Sequence, residues 1–458
     1  MFVNETMLIL AYTANMMATL AQKEGSKAAV DIFQNNTTTT TLSPEEKENQ
    51  FNFADQWYMW RCFEPYGCFY IGSPWSGENR PVSTFPARPD SINPRYICYT
   101  RDTIETPQEL KIDKSQTIIE TSLRKKKNLY IIVHGFLDNG DKTWVLRTMR
   151  ELLLREDCNV VIVNWIGGAG PPYTQAVANT RLVGAMTARL AYQLINIGGI
   201  DPLKIHCIGH SLGAHTCGYV GYTLRQKYAY HLGRITGIKR FLGCNHIRSY
   251  EYFMESINTD CPFLAVPCPS WDKFQEGSCF DCVNQYCPRF GLDAQPGNYH
   301  ASVYLMTSST KPFCKAHYKV TIVISRTNES LDHGGEIGTF VIRIIDASGT
   351  RTERIPLSSR SKYYEPGSNH TVVLPGDMVG KPEAVEISWE YQTSVFNPLT
   401  WRLLHTPRVY VDSLIVDSLE ASRSITVCPD ETKTLIANEP KVLTTKNCEI
   451  AFSNTIAA

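Results

Sequence analysis

Between Leu129 and Ile238 four short apolar runs alternate with longer stretches whose apolar residues recur at helical spacing, and this alternation constrains the fold more than any other feature of the 458 residues. The runs are Leu129–Val133, Asn159–Trp165, Lys204–Ile208 and Arg234–Ile238. A strand that is apolar on both faces has to be covered on both, which is the signature of a parallel sheet rather than a half-exposed one. The intervening stretches supply the cover. Thr143–Arg155 places Val145, Leu146, Met149, Leu152 and Leu153 on one helical face, and Thr174–Ile195 and Leu212–Lys227 have the same spacing. Strands alternating with helices predict an α/β domain.

After Phe313 the pattern changes. The segments 318–324, 338–345, 370–374, 384–389 and 409–416 are β-branched or alternate polar with apolar, and Gly, Pro and Asp punctuate them. With no helical period among them, an antiparallel β-sandwich is expected, the border falling near residues 308–316. The expected organisation is therefore an N-terminal stretch over 1–50, an α/β domain over 51–312 and an all-β sandwich over 313–458.

The N-terminal stretch carries a moderately apolar segment, Met7–Ala21, that could serve as a signal core although no Lys or Arg precedes it. It is too short and too polar for a membrane-spanning helix. The run Thr37–Thr41 and the acidic residues after it read as a disordered linker. Lys and Arg together number 45, as do Asp and Glu, so bulk charge gives no footprint for nucleic acid. The run Arg124–Lys127 reads as a solvated loop before a strand.

Fifteen cysteines, several closely spaced, point to disulfides and an oxidising compartment. Cys279-x-x-Cys282 also has metal-ligand spacing, but no second such pair or matching His pair follows, so disulfides are expected over zinc. Sequons open at Asn4, Asn35, Asn36, Asn328 and Asn369, in keeping with secretion.

The chemistry centres on Gly209-His210-Ser211-Leu212-Gly213, a G-x-S-x-G sequence standing directly after one expected strand and directly before a helix. Glycines on either side permit a sharp strand-to-helix turn that leaves the Ser211 hydroxyl exposed as a nucleophile. The helix N-terminus behind it offers N–H groups and a favourable dipole to a developing oxyanion. His134-Gly135-Phe136 ends another strand where an α/β-hydrolase places its second donor, so the N–H groups of Phe136 and Leu212 are the expected oxyanion hole. His210 and His215 are expected to pack or hydrogen-bond rather than act as bases, and His206 to sit in the core.

These motifs carry a specific resemblance. Ile208–His215, His134-Gly-Phe136, Gly233-Arg-Ile-Thr-Gly237, Ser73-Pro-Trp-Ser76, the region of Gly170 to Ala176, and Cys244-Asn-His-Ile-Arg-Ser-Tyr250 together resemble the pancreatic lipase family, over about Cys62 to Cys448. The resemblance implies a secreted serine hydrolase acting on ester bonds of acylglycerols or phospholipids at a lipid–water interface, with a C-terminal PLAT-type lipid-associating sandwich. It implies that His246 is the general base. It also implies disulfides Cys268–Cys279, Cys282–Cys287, Cys62–Cys68 and Cys428–Cys448. It identifies no cofactor, and it leaves open whether a colipase-like protein is a partner.

One part of the family pattern is missing. A triad on this fold runs in the order Ser, acid, His, yet no Asp or Glu occurs between Ser211 and His246. Lys239 stands where the family places its aspartate, and the chain then passes through Phe241-Leu-Gly to Cys244-Asn-His246. The skipped segment would hold the acid, a calcium loop and a lid whose closing disulfide would use Cys244, so no calcium is expected at that position and the α/β domain is expected to be truncated. Loss of the acid from a serine triad lowers kcat about 10⁴-fold, roughly 5.5 kcal/mol of barrier. Three readings follow: a crippled lidless esterase, a non-catalytic form that binds lipid or a protein through its sandwich, and a chain that does not fold stably.

Overall fold

The computed structural model describes residues 7–9, 57–78, 83–238, 244–295, 302–391 and 406–449. The signal-like stretch beyond residue 9, the Thr-rich linker, the sequons at Asn4, Asn35 and Asn36, and Lys239 lie outside the described residues, as does the Cys244 side chain.

The chain forms two compact units, one of residues 11–258 and one of residues 259–458 with residues 1–10. The first begins with a hairpin, β1 (Trp60–Phe63) and β2 (Gly67–Tyr70), in which Cys62 faces Cys68 in register and bonds to it. Its main sheet is built from β3 (Arg95–Tyr99), β4 (Gln108–Leu110), β5 (Leu129–Val133), β6 (Asn159–Asn164), β7 (Ile205–His210) and β8 (Arg234–Ile238), in the order β4-β3-β6-β5-β7-β8. Strands β6, β5, β7 and β8 are mutually parallel; β5 is apolar and buried at every position, whereas β8, with Arg234 and Thr236, is mostly half-buried. Two strands that the sequence reading did not assign, β3 and β4, extend this core antiparallel on the β6 side.

Helices α1 (Thr143–Arg155), α2 (Tyr173–Asn196) and α3 (Leu212–Tyr228) connect the parallel strands. Helix α1 buries Trp144, Val145, Thr148, Met149, Leu152 and Leu153, a single stripe at helical spacing. Small residues set the approach of α2 to α3: a Cβ at Gly184 would lie 2.4 Å from the Tyr219 Cβ, so a side chain there would force the helices apart. A fourth helix, α4 (Cys244–Glu255), carries His246 in its first turn.

The second unit contains a β-sandwich. One sheet is built around β9 (Ala316–Ile324), flanked by β11 (Asn369–Gly376) and β13 (Arg408–Ser418), with β14 (Arg423–Val427) beyond β13. The other pairs β10 (Glu336–Asp346) with β12 (Pro382–Tyr391) and then β15 (Lys441–Thr444). Alternation along β9 buries Tyr318, Val320, Ile322 and Ile324, which pack with Phe340, Ile342 and Trp389 of the facing sheet. A mixed α/β domain followed by an antiparallel sandwich is thus the fold, as the apolar pattern requires.

The disulfides Cys268–Cys279, Cys282–Cys287 and Cys428–Cys448 form in this unit as the resemblance implied, together with Cys261–Cys314. Within this same unit, the sequons at Asn328 and Asn369 are solvent-exposed.

Candidate active site

Ser211 stands at the turn from β7 into α3 with φ 55° and ψ −119°, a left-handed backbone that a residue with a side chain adopts only when its surroundings hold it there. Three features hold it. The Ser211 N–H donates to the Ile238 carbonyl at 3.0 Å, fixing the turn to the end of β8. A Cβ at Gly209 would lie 2.2 Å from the Gly213 carbonyl oxygen, and one at Gly213 would lie 2.1 Å from the Val133 carbonyl oxygen. Both glycines of the G-x-S-x-G sequence are therefore required by backbone approach, not only by turn geometry.

The Ser211 side chain lies over the end of β5. A Cβ at Gly135 would come within 2.7 Å of the Ser211 Cβ and 3.3 Å of its Oγ. Phe136 follows directly, half-buried, its ring edge-on to Tyr173 at 5.1 Å. Leu212 is the first residue of α3, where a helical N–H has no partner within its own helix. The structure thus brings Ser211, Gly135-Phe136 and the α3 N-terminus to one place.

His134 anchors the Gly135-Phe136 corner from below. The Trp165 N–H donates to His134 Nε2 at 3.0 Å, and the Trp165 indole Nε1–H donates to the His134 carbonyl at 2.9 Å. His134 Nδ1, 3.0 Å from the Gly135 carbonyl oxygen, must then carry the proton and donate it. Burial lowers the His134 pKa and keeps this imidazole neutral.

On the far side of the elbow His210 is buried, 7% exposed. Its Nε2 is 3.2 Å from the His246 carbonyl oxygen and donates to it, which leaves Nδ1 as a buried acceptor with no hydrogen-bond partner among the described residues. Burial, reinforced by the neighbouring His246, pushes the His210 pKa down to about 4. The two imidazoles lie 4.5 Å apart, and Trp144 and Tyr250 pack on His210 at 5.2 and 5.3 Å. This aromatic cluster docks α4 beside the elbow and places His246 there. The Trp144 indole N–H donates to Asp138 at 2.9 Å, which ties that carboxylate to the tryptophan of the cluster. His206 is a core histidine, 2.7 Å from the Thr236 hydroxyl through its Nε2.

Sequence reasoning did not find the His210–Trp144–Tyr250 cluster or a bond between Cys207 and Cys217 that spans the elbow. The only signal for the latter was the presence of two cysteines either side of the G-x-S-x-G sequence.

A family model described as Lipase matches residues 60–240 and 237–313, two pieces that meet at Gly237–Arg240. Pancreatic lipase-related protein 2 of Rattus norvegicus is 28% identical over 350 residues, covering 58% of this chain and 74% of that one. The human inactive pancreatic lipase-related protein 1 is 26% identical over 470 residues, 84% of this chain and 96% of that one. Human pancreatic triacylglycerol lipase is 26% identical over 465 residues, with 81% and 93% covered. The two human alignments are longer than the 458-residue chain although they use only part of it, so several dozen residues of those relatives face gaps here. With the family match spanning more than half its length, from the first hairpin to residue 313, the chain belongs to the lipase family.

Proposed function

We propose that this chain is a catalytically impaired serine carboxylic-ester hydrolase derived from a pancreatic-type lipase. Ser211 is the nucleophile, His246 the base, and the N–H groups of Phe136 and Leu212 form the oxyanion hole. The observation that carries this reading is the Ser211 backbone at φ 55° and ψ −119°, with its hydroxyl lying over Gly135. Strain of that kind persists only where surrounding contacts enforce it, and the close approach at Gly135 supports this reading by setting the Ser211 hydroxyl beside the residue that precedes Phe136.

The impairment follows from composition. In a competent site Ser211 attacks the ester carbonyl while the base takes its proton, and a carboxylate steadies the imidazolium that forms. No carboxylate residue stands between Ser211 and His246 in the chain, and the family match breaks at the junction where one would stand. In our reading a segment with the acid, a calcium loop and a lid has been lost there, leaving an open site suited to short soluble esters. The domain division is a lipase domain over 51–312, truncated at that junction, and a PLAT-like sandwich over 313–458, preceded by a signal and linker over 1–50. The end of the family match at 313 supports that border. Disulfides in both units support a secreted, extracellular protein, and the lipase family match supports a lipid ester at a lipid–water interface as its partner.

A second reading, a non-catalytic form that binds lipid or a protein through its sandwich, is favoured by the packing of the His246 ring on His210. Reaction with a small fluorophosphonate separates the two. Slow, stoichiometric modification of Ser211, located by peptide mapping, is the outcome for an impaired hydrolase. A folded chain that stays unmodified at Ser211 leaves the binding form.

A further inference from the structure

The disulfide Cys207–Cys217 stands apart from the other bonds of this chain. Cys207 lies inside β7, the strand hydrogen-bonded to β5 on one side and β8 on the other. Cys217 lies one and a half turns into α3. Both are fully buried at 0% exposure, and both pack in the main apolar cluster with Leu212, Ile131 and Val133. The ten-residue separation they close contains the whole of Gly209-His210-Ser211-Leu212-Gly213. Among the described residues of 11–258 the other disulfide, Cys62–Cys68, closes a hairpin rather than joining a strand of the main sheet to a helix.

We propose that the Cys207–Cys217 bond is a positioning device for the nucleophile, a covalent staple that holds the strand, the elbow and the helix as one unit so that Ser211 keeps its left-handed conformation. The proposal rests on the reading of Ser211 as nucleophile. Its physical basis is strain. A non-glycine residue in this region stores energy that the chain releases if β7 and α3 turn relative to one another. The close backbone approaches at Gly209 and Gly213 oppose that turn only while the strand and helix stay packed. The bond opposes it independently, because it links the two elements behind the turn. On its other side the elbow adjoins the Ile238–Cys244 junction, where the family match is broken and the usual neighbouring segment is missing. Complete burial makes the bond a permanent fixture of the folded chain, because a reductant in solution has no path to either sulfur.

The test uses the full chain and its C207V/C217A variant, with C62S/C68S as a control that also lacks one disulfide. First, both are denatured without reductant and alkylated. Cys207 and Cys217 of the parent are expected to resist alkylation until reductant is added, and their free alkylation overturns the proposal. Second, amide exchange of the 209–217 segment is expected to rise at least tenfold in C207V/C217A, with the α2 segment unchanged. Third, the rate of Ser211 modification by a small fluorophosphonate is expected to fall about tenfold in C207V/C217A, equivalent to about 1.4 kcal/mol of barrier, and to stay near the parent value in C62S/C68S. Equal loss in both variants assigns the effect to general destabilisation and overturns the proposal, as does unchanged exchange in C207V/C217A. If the parent is never modified at Ser211 the hydrolase reading fails, and amide exchange alone then decides whether the staple holds the elbow. If C207V/C217A does not fold, C207A/C217A replaces it.

Discussion

The two sides of the Ser211 turn are built to different standards. Toward β5, β8 and α3, the constraints are many and of several kinds: the glycine backbone approaches at 209 and 213, the Ser211 N–H on Ile238, the His134 imidazole locked between Trp165 and Gly135, and a buried disulfide. Toward α4, the base is held by ring packing on His210 and by a backbone contact through the carbonyl of His246 itself. The first side lies before the junction where the family match is broken, and α4 lies beyond it. In our proposal, the geometry of Ser211 and that of His246 can therefore be lost separately, because the elbow draws its constraints from elements up to Ile238, whereas His246 rides on a helix beyond the break and meets the elbow through His210.

Substitutions graded across the turn should expose that asymmetry. The largest effect is expected for Gly213→Ala, whose new methyl would meet the Val133 and His134 carbonyl oxygens at 2.1 and 2.6 Å. Neither partner is a side chain that can swing away, so destabilisation above about 4 kcal/mol is expected, read as a collapse of the urea midpoint. A well-folded G213A would mean that the elbow is looser than described.

Next comes the pH dependence of His210. Its folded pKa, about 4, lies below the ordinary value of 6.5. Between those values the unfolded chain binds more protons than the folded one, so stability is fully present above about pH 6.5 and is lost as pH falls toward 4. The full difference is about 3 kcal/mol for this one group. Comparing urea midpoints at pH 7.5 and pH 4.5 for the parent and His210→Gln checks it; an equal fall in both would remove His210 as the cause.

Removing the Asp138 carboxylate with Asp138→Ala unpairs the Trp144 indole N–H beneath the same cluster. The expected cost is about 1–2 kcal/mol. The smallest effect belongs to the far side: Arg248→Ala breaks a half-buried, solvent-accessible pair with Glu251 within α4 and is expected to change stability by less than about 1 kcal/mol. A larger loss there would show α4 to be as firmly built as the elbow.

Much of this was legible in the sequence because it depends on local spacing. The bounds of Thr143–Arg155, Leu129–Val133 and Arg234–Ile238 recur unchanged in the structure, while the buried stripe of the helix takes in Trp144 and Thr148 and leaves Leu146 half-buried. The elbow was legible because glycines bracket a serine between a strand and a helix. Strand β3 escaped notice because Arg95-Tyr-Ile-Cys-Tyr99 is short and pairs antiparallel, outside the strand–helix rhythm. The helix bearing His246 escaped because its anchor is not its own periodicity but Trp144 and His210, about a hundred and about thirty-five residues earlier in the chain. The Cys207–Cys217 pairing needed a known path of α3 back across β7, which no spacing rule supplies.

The most direct test of the account is hydrolysis of a short-chain nitrophenyl ester by the purified chain, beside Ser211→Ala and His246→Ala. The account predicts slow turnover by the parent, at a kcat about 10⁴-fold below that of a lipase with a complete triad. It predicts loss of that turnover in S211A and a turnover below the parent's in H246A. Turnover that survives unchanged in folded S211A, or a parent as fast as a complete triad, would contradict it.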